Sequence, residues 1–246
     1  MAVDTSLMIG TAGWTVPRDV ASHFPEERSA LERYAARFRC AEINSSFHRS
    51  HRPETWARWA ASVPADFRFA AKLAKTVTHQ ARLVGCEAAL AASIAEMRQL
   101  GAKLAVVLVQ LPPSLAFDAD VAGAFFAALR GEWDGAVALE PRHPSWLAEE
   151  ADALLVAARV ARVAADPARA EGLEAPGGWR GLTYCRLHGS PVVYRSAYGE
   201  ARLASYAALL RAETAAGRQA WCIFDNTASS AATADALTLQ RLVGKG

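Results

Sequence analysis

Short apolar runs alternate with longer amphipathic stretches along the whole chain. The runs at 7–11, 40–44, 67–72, 104–110, 136–140, 162–166, 183–188 and 221–225 read as strands, several of them rich in Val, Ile or Phe. The stretches at 26–38, 54–62, 87–100, 119–129, 147–158, 203–216 and 231–243 read as helices. In the third of these Leu90, Ile94, Met97 and Leu100 recur near helical spacing. Pro53 opens the second helix and Gly101 closes the third, as helix punctuation should. Strands alternating with helices imply parallel pairing through crossover helices. A closed (β/α)8 TIM barrel and an open doubly wound α/β sheet both satisfy that pattern. Eight repeats over this length favour the barrel. Gly10-Thr11-Ala12-Gly13-Trp14 after the first strand also has the wrong spacing for a dinucleotide loop. The connection 167–181, with Gly172, Pro176, Gly177 and Gly178, is helix-poor, so one outer helix after the sixth strand is expected to be short or missing. No linker or solenoid repeat divides the chain, and residues 1–246 are expected to form a single TIM-barrel domain.

Composition narrows this only a little. Of 246 residues 52% are hydrophobic and 21% charged, which is ordinary globular usage and argues against disorder. Arg and Glu interrupt every apolar segment before the run of about 18 residues that a membrane span needs. The opening MAVDTSLMIG carries an acid and no basic stretch, so it does not read as a signal peptide, and a cytoplasmic location is expected. Cys40, Cys86, Cys185 and Cys222 form no C-x-x-C pair and are expected to be buried, inert thiols. The net charge is only +2, but between Arg28 and Arg82 eleven Lys and Arg meet four Asp and Glu. Such asymmetry marks either a solvated helix surface or a face that meets anions.

The polar residues fall systematically at the C-terminal ends of the strands. Strand two ends Glu42-Ile43-Asn44-Ser45-Ser46, strand three in Lys72 and strand four in Gln110. Strand five ends Glu140-Pro141-Arg142-His143, strand six in Asp166, strand seven holds Arg186 and His188, and strand eight ends Asp225-Asn226. In a barrel these ends converge on one rim, where barrel enzymes do their chemistry. Buried charge is costly unless paired, so such a ring is either a self-satisfying ion network or a binding site.

Several of these segments carry a resemblance. Gly10-Thr11-Ala12-Gly13-Trp14, Ala41-Glu42-Ile43-Asn44-Ser45-Ser46-Phe47, Pro53-Glu54-Thr55 with Trp59, and Asp66-Phe67-Arg68-Phe69 are four of them. Thr78-His79, Gln110-Leu111-Pro112-Pro113-Ser114, Glu140-Pro141-Arg142-His143-Pro144-Ser145-Trp146, Arg186-Leu187-His188-Gly189 and Phe224-Asp225-Asn226-Thr227 complete the set. In this order they resemble the YecE-like family over essentially the whole chain. The resemblance implies a (β/α)8 barrel and no established biochemical function. Two positions depart from the family pattern: Pro141 stands where an aromatic residue is usual, and Asp225 where Asn is common.

Three chemistries suit such a rim. The first is a metal-assisted hydrolase or lyase acting on a phosphorylated or nucleic-acid substrate. Glu42, Glu140, Asp166, His188 and Asp225 supply ligands for Mg, Mn or Zn, and Arg142 a fork for phosphate. The second is a metal-free enzyme for a sugar-like or small anionic substrate. Its acid–base pair would be Glu42 and Glu140, one raised in pKa by burial, or Lys72 would form a Schiff base. Lys72 also reads as a plain counter-charge to those acids. The third is a non-catalytic protein for a nucleic acid or another anion. Lys72, Arg142 and Arg186 are candidate anion holders, and His188 a ligand or base. His79 is a candidate base or a loop brace. Asn44, Gln110 and Asn226 are candidate substrate-binding groups, while Trp14 and Trp146 would stack on a ligand or pack as lids. Tyr194 and Tyr198 would close over a ligand or pack on the surface.

Overall fold

The computed structural model describes residues 6–244. The reading of the opening segment falls partly on residues 1–5, outside the described residues. Ten strands make up the sheet: β1 (Leu7–Ala12), β2 (Cys40–Ile43), β3 (Arg68–Lys72), β4 (Leu104–Gln110) and β5 (Ala136–Glu140), followed by β6 (Val160–Arg162), β7 (Ala164–Asp166), β8 (Gly177–Gly178), β9 (Leu182–Leu187) and β10 (Gln219–Phe224). Their order is β7-β9-β10-β1-β2-β3-β4-β5-β6-β8. β6 and β7 are two halves of one strand, broken only at Val163. The first half pairs in parallel with β5 and the second with β9, so this strand closes the barrel. The pairing is parallel throughout except for β8, a two-residue hairpin return on β6. The expected eight-stranded parallel barrel is therefore present, with β8 as an addition.

The outer layer follows the expected helices with shifted ends. They are α1 (Ala30–Ala35), α2 (Ser45–His48), α3 (Pro53–Ala61), α4 (Glu87–Met97), α5 (Ala119–Glu132), α6 (Glu149–Ala157), α7 (Glu200–Ala215) and α8 (Ala231–Val243). The first helix is much shorter than 26–38 because Ser29 and Glu32 form a capping box that sets its start. The sixth starts two residues after 147 because Pro144–Leu147 is a separate 3-10 turn. α2 is a single turn on the β2 loop and was not expected. Among the described residues no α-helix lies between β7 and β9, as the Gly- and Pro-rich connection implied. No described helix is long and apolar enough to cross a membrane. All four cysteines are free and buried.

Side chains alternate in and out of the barrel with period two. Met8, Cys40, Ala70, Val106, Leu108, Ala138, Ala161, Tyr184, Trp221 and Ile223 form an apolar plug inside. The outward set packs with the helices as a separate, larger core. Continuing the inward alternation toward the strand ends gives Glu42, Lys72, Gln110, Glu140, Arg186 and Asp225. Fold and sequence together thus place a charged layer on top of an apolar one. The strands approach closely at Gly10, where an added Cβ would stand 2.3 Å from the Cys40 carbonyl oxygen. Gly10→Ala should therefore strain the β1–β2 pair and lower stability by about 1–3 kcal/mol, measured by chemical unfolding.

Candidate functional site

Arg186, on β9, lies at the centre of the charged layer and is fully buried. Its Nε donates to Glu42 Oε2 at 3.0 Å and its Nη2 to Glu42 Oε1 at 2.6 Å, a bidentate fork across the barrel. Its Nη1 donates to Glu140 Oε2, and also to Gln110 Oε1 at 3.3 Å. Its Nη2 reaches Asp225 Oδ2 at 3.1 Å as well. Tyr184, one inward position below Arg186, donates to Glu42 Oε2 at 2.8 Å. All five guanidinium donors point at acceptors from four other strands or their ends. That is the arrangement a buried Arg requires.

A second tier stands over this one. His188 places Nδ1 3.0 Å from Asp225 Oδ2 and Nε2 3.2 Å from Glu140 Oε1. Carboxylates only accept, so both ring nitrogens donate and the ring is an imidazolium. Burial alone would push its pKa down, but the charge of Glu140 and the hydrogen bonds to Asp225 and Glu140 outweigh it and raise it. Arg142 donates Nε and Nη2 to Glu140 Oε1, each at 3.2 Å. Burial pushes Glu140 up, yet Arg186, His188 and Arg142 hold its carboxyl well below the usual carboxylate range. Asn44 donates to Asp225 Oδ1 at 3.4 Å.

Lys72 differs from the other cations. Its Nζ donates to Gln110 Oε1 at 2.8 Å and lies 4.0 Å from the centre of the Phe47 ring, yet it forms no ion pair among the described residues. Burial first, then Arg186, push it down to about 8, against the pull of Glu140, Glu42 and Asp225. His79 packs edge-on against Phe47 and is lowered by burial, then by Lys72 and Arg142. Glu140, Arg142, Arg169, His188 and Tyr194 border a small opening above the layer. Three carboxylates, of Glu42, Glu140 and Asp225, thus face Arg186, Arg142, Lys72 and the His188 imidazolium, leaving the cluster positive.

The structure therefore brings together Glu42, Asn44, Lys72, Gln110, Glu140, Arg142, Arg186, His188 and Asp225, with His79 beside them. It leaves out four candidates. Asp166 faces away from the barrel and accepts from Tyr206 at 2.7 Å and Arg202 at 3.0 Å. Asn226 likewise turns outward, to Asp235 and the Ser196 carbonyl. Trp14 packs against Trp59 and Phe69, and Trp146 is buried with its N–H on the Leu115 carbonyl. Tyr184 and Phe47 were not singled out from sequence. Tyr184 was findable, since it shares the inward parity of Arg186. Phe47 was not, because the α2 turn that brings it under Lys72 has no helix-length signature.

Two expected chemistries need correction. Glu42 and Glu140 do not face each other as a free carboxylate pair: Arg186 stands between them, and Glu140 is held low rather than raised. The acids do not suit a divalent ion either. Every carboxylate oxygen of Glu42, Glu140 and Asp225 already accepts from Arg186, Arg142, His188, Tyr184 or Asn44. A cation would have to displace a guanidinium. Asp166 is turned away, and no described group of three His, Cys, Asp or Glu could hold a metal ion.

Residues 8–246 match a family described as "Protein of unknown function DUF72". The UPF0759 protein YecE of Escherichia coli K12 is 30% identical over 144 residues, which are 58% of this chain and 51% of that protein. The match thus spans about half the length of the curated relatives. A DUF72 family protein from Enterococcus faecalis superposes with a TM-score of 0.83 at 19% identity, covering 97% of this chain and 95% of its own. One from Thermotoga maritima gives 0.74 at 21% identity, over 97% and 99%. At these identities the structures support the barrel fold.

Glu140→Gln should cost about 3–5 kcal/mol in urea unfolding, because it removes the counter-charge shared by Arg186, His188 and Arg142. Mg, Mn or Zn should leave the melting temperature unchanged at neutral pH; a dose-dependent rise would contradict the assigned donor pattern. The pH profile should show two limbs. Glu140 contributes fully above its ordinary 4.5, and that contribution is lost as pH falls through its lower folded value. His188 contributes fully below its ordinary 6.5, and that contribution is lost as pH rises through its higher folded value. Melts across pH should lose the second limb in His188→Gln.

Proposed function

The chain belongs to the DUF72 family, whose description assigns no activity, and from that premise we propose that the rim binds a small anionic substrate and performs acid–base chemistry on it, with Lys72 as the reacting group. The observation that carries this reading is the position of Lys72. It is the buried cation of the cluster that no carboxylate neutralises, held between an amide oxygen and an aromatic face. An amine with a pKa near 8 divides between charged and neutral forms close to neutral pH, which suits proton transfer or imine formation with a carbonyl. Arg186 is saturated, so its role is to fix Glu42, Glu140 and Gln110 rather than to touch substrate. Arg142, at the opening beside Tyr194, would receive the substrate's carboxylate or phosphate. The imidazolium of His188 adds positive potential below it.

The metal-assisted hydrolase reading is set aside on the donor geometry above. The nucleic-acid reading rests on the exposed arginines of the Arg28–Arg82 segment and has no support from the cluster itself.

Inorganic phosphate should raise the melting temperature by several degrees at pH 7 when present far above its Kd. The effect should shrink in Lys72→Met and in Arg142→Met, and should fade as pH rises through about 8, where Lys72 loses its charge. An undiminished shift in both variants would place the anion elsewhere. Lys72→Arg keeps the charge but supplies no neutral amine. In a screen of small keto acids and phosphorylated acids it should retain binding and lose turnover. Equal turnover in Lys72→Arg and the parent protein would refute the reacting role, and binding without any turnover in the parent would leave an anion-binding protein.

A further inference from the structure

A second cavity, of about 320 Å³, lies in the outer layer beside the rim, between the α2 turn, the loop after β3 and helix α4. We propose that it binds a planar aromatic monoanion, at a site separate from the charged cluster. The walls set the shape. Phe47 and Trp56 form one side. The other is a face of α4 made of Ala89, Ala92 and Ser93, at i, i+3 and i+4, where side chains stop near Cβ. Leu90 and Ile94 on α4 turn to the core, while Glu96 and Met97, further along the helix, also line the cavity. Rings opposite small side chains leave a slot suited to a flat body, and the volume falls in the range of small-molecule sites, about 300–1,000 Å³.

The polar groups set the chemistry. The Trp56 side chain is fully buried, and its indole N–H has no protein acceptor. A buried donor without an acceptor is uncommon and costs free energy, but this one is sealed in the wall, so the charged groups at the slot decide the ligand. Arg49 and Lys75 also line the cavity, and among the described residues neither forms an ion pair. Glu96 lines it too, but its carboxylate is engaged by the Ser50 hydroxyl and by the His51 backbone N–H at 3.0 Å. Two free cations against one engaged carboxylate favour a single negative charge on the ligand. A neutral hydrophobe would use the walls but not the cations.

Titration calorimetry with 1-naphthoate, a flat aromatic carboxylate, and with 1-naphthalenemethanol, its neutral counterpart, tests this. The parent protein should bind one naphthoate per chain and bind the alcohol at least about tenfold more weakly. Ser93→Leu should fill the slot and abolish binding of both. Arg49→Gln with Lys75→Gln, both surface changes, should remove the preference for the anion while leaving the alcohol unaffected. Melting temperatures of all variants establish that each is folded. Absence of naphthoate binding to the parent, equal affinity for the two probes, or undiminished binding in folded Ser93→Leu would overturn the proposal. Lys72→Met should bind naphthoate as the parent does. Loss of binding there would put the anion at the rim and overturn the separate site, while phosphate stabilisation of the parent would still stand or fall by itself.

Discussion

One guanidinium, that of Arg186, organises the upper half of this barrel. A charge taken out of water is tolerated only when its donors are matched by acceptors in good geometry. Here the match comes from Glu42 on β2, Gln110 on β4, Glu140 on β5 and Asp225 just past β10. No two neighbouring strands could satisfy it alone, so the network requires the closed barrel. The barrel in turn needs something to fill its mouth, and the apolar plug below ends at Tyr184, whose hydroxyl joins the same network through Glu42. Replacing such a network with apolar residues is often neutral or stabilising in other proteins. Its value here is positional, because it fixes four polar side chains on four strand ends without help from the loops.

Saturation of the network also divides labour. Groups whose hydrogen bonds are complete make poor reactants, since reacting would break several bonds in a dry environment. Arg186, Glu42 and Glu140 are of this kind. The groups with spare capacity lie around them: Lys72 with its single side-chain acceptor, Arg142 at the opening, and His79 on the far side of Phe47. Chemistry at the edge of a rigid, charge-matched centre is the arrangement expected when precision must come from strands rather than from mobile loops.

The strands were legible in the sequence because parallel barrel strands are short, apolar and bounded by turn residues. Their ends carried the charge pattern that located the rim. What misled was treating every strand end alike. Asp166 follows Ala161 and Val163 of the inner plug and Ala165, which borders the opening above it, and so has the outward parity that sends it to Tyr206 and Arg202. Asn226 fails the same test one residue beyond inward Asp225. Parity would also have selected Tyr184. Pairing was not legible: nothing local in Glu42 or Glu140 says that both are claimed by one arginine on a strand that neighbours neither of theirs. Trp14 and Trp146 were ambiguous for a related reason, since an aromatic residue beside a strand end serves a helix packing against the barrel as well as a ligand above it.

The break in the sixth strand has a consequence for how water reaches the centre. A closed barrel has no edge, and a line where few residues pair is among its weaker ones. β6 joins β5 through three residue pairs and β7 joins β9 through three, whereas β9 and β10 share six. The partner of Arg186 across that seam is Ala165, a small side chain that adds little bulk beside it. Any breathing of the seam therefore hydrates the guanidinium directly, and hydration relaxes the demand for matched acceptors that holds the upper layer in register. Closure of the hydrogen-bonded ring and dryness of the ion cluster are one cooperative event.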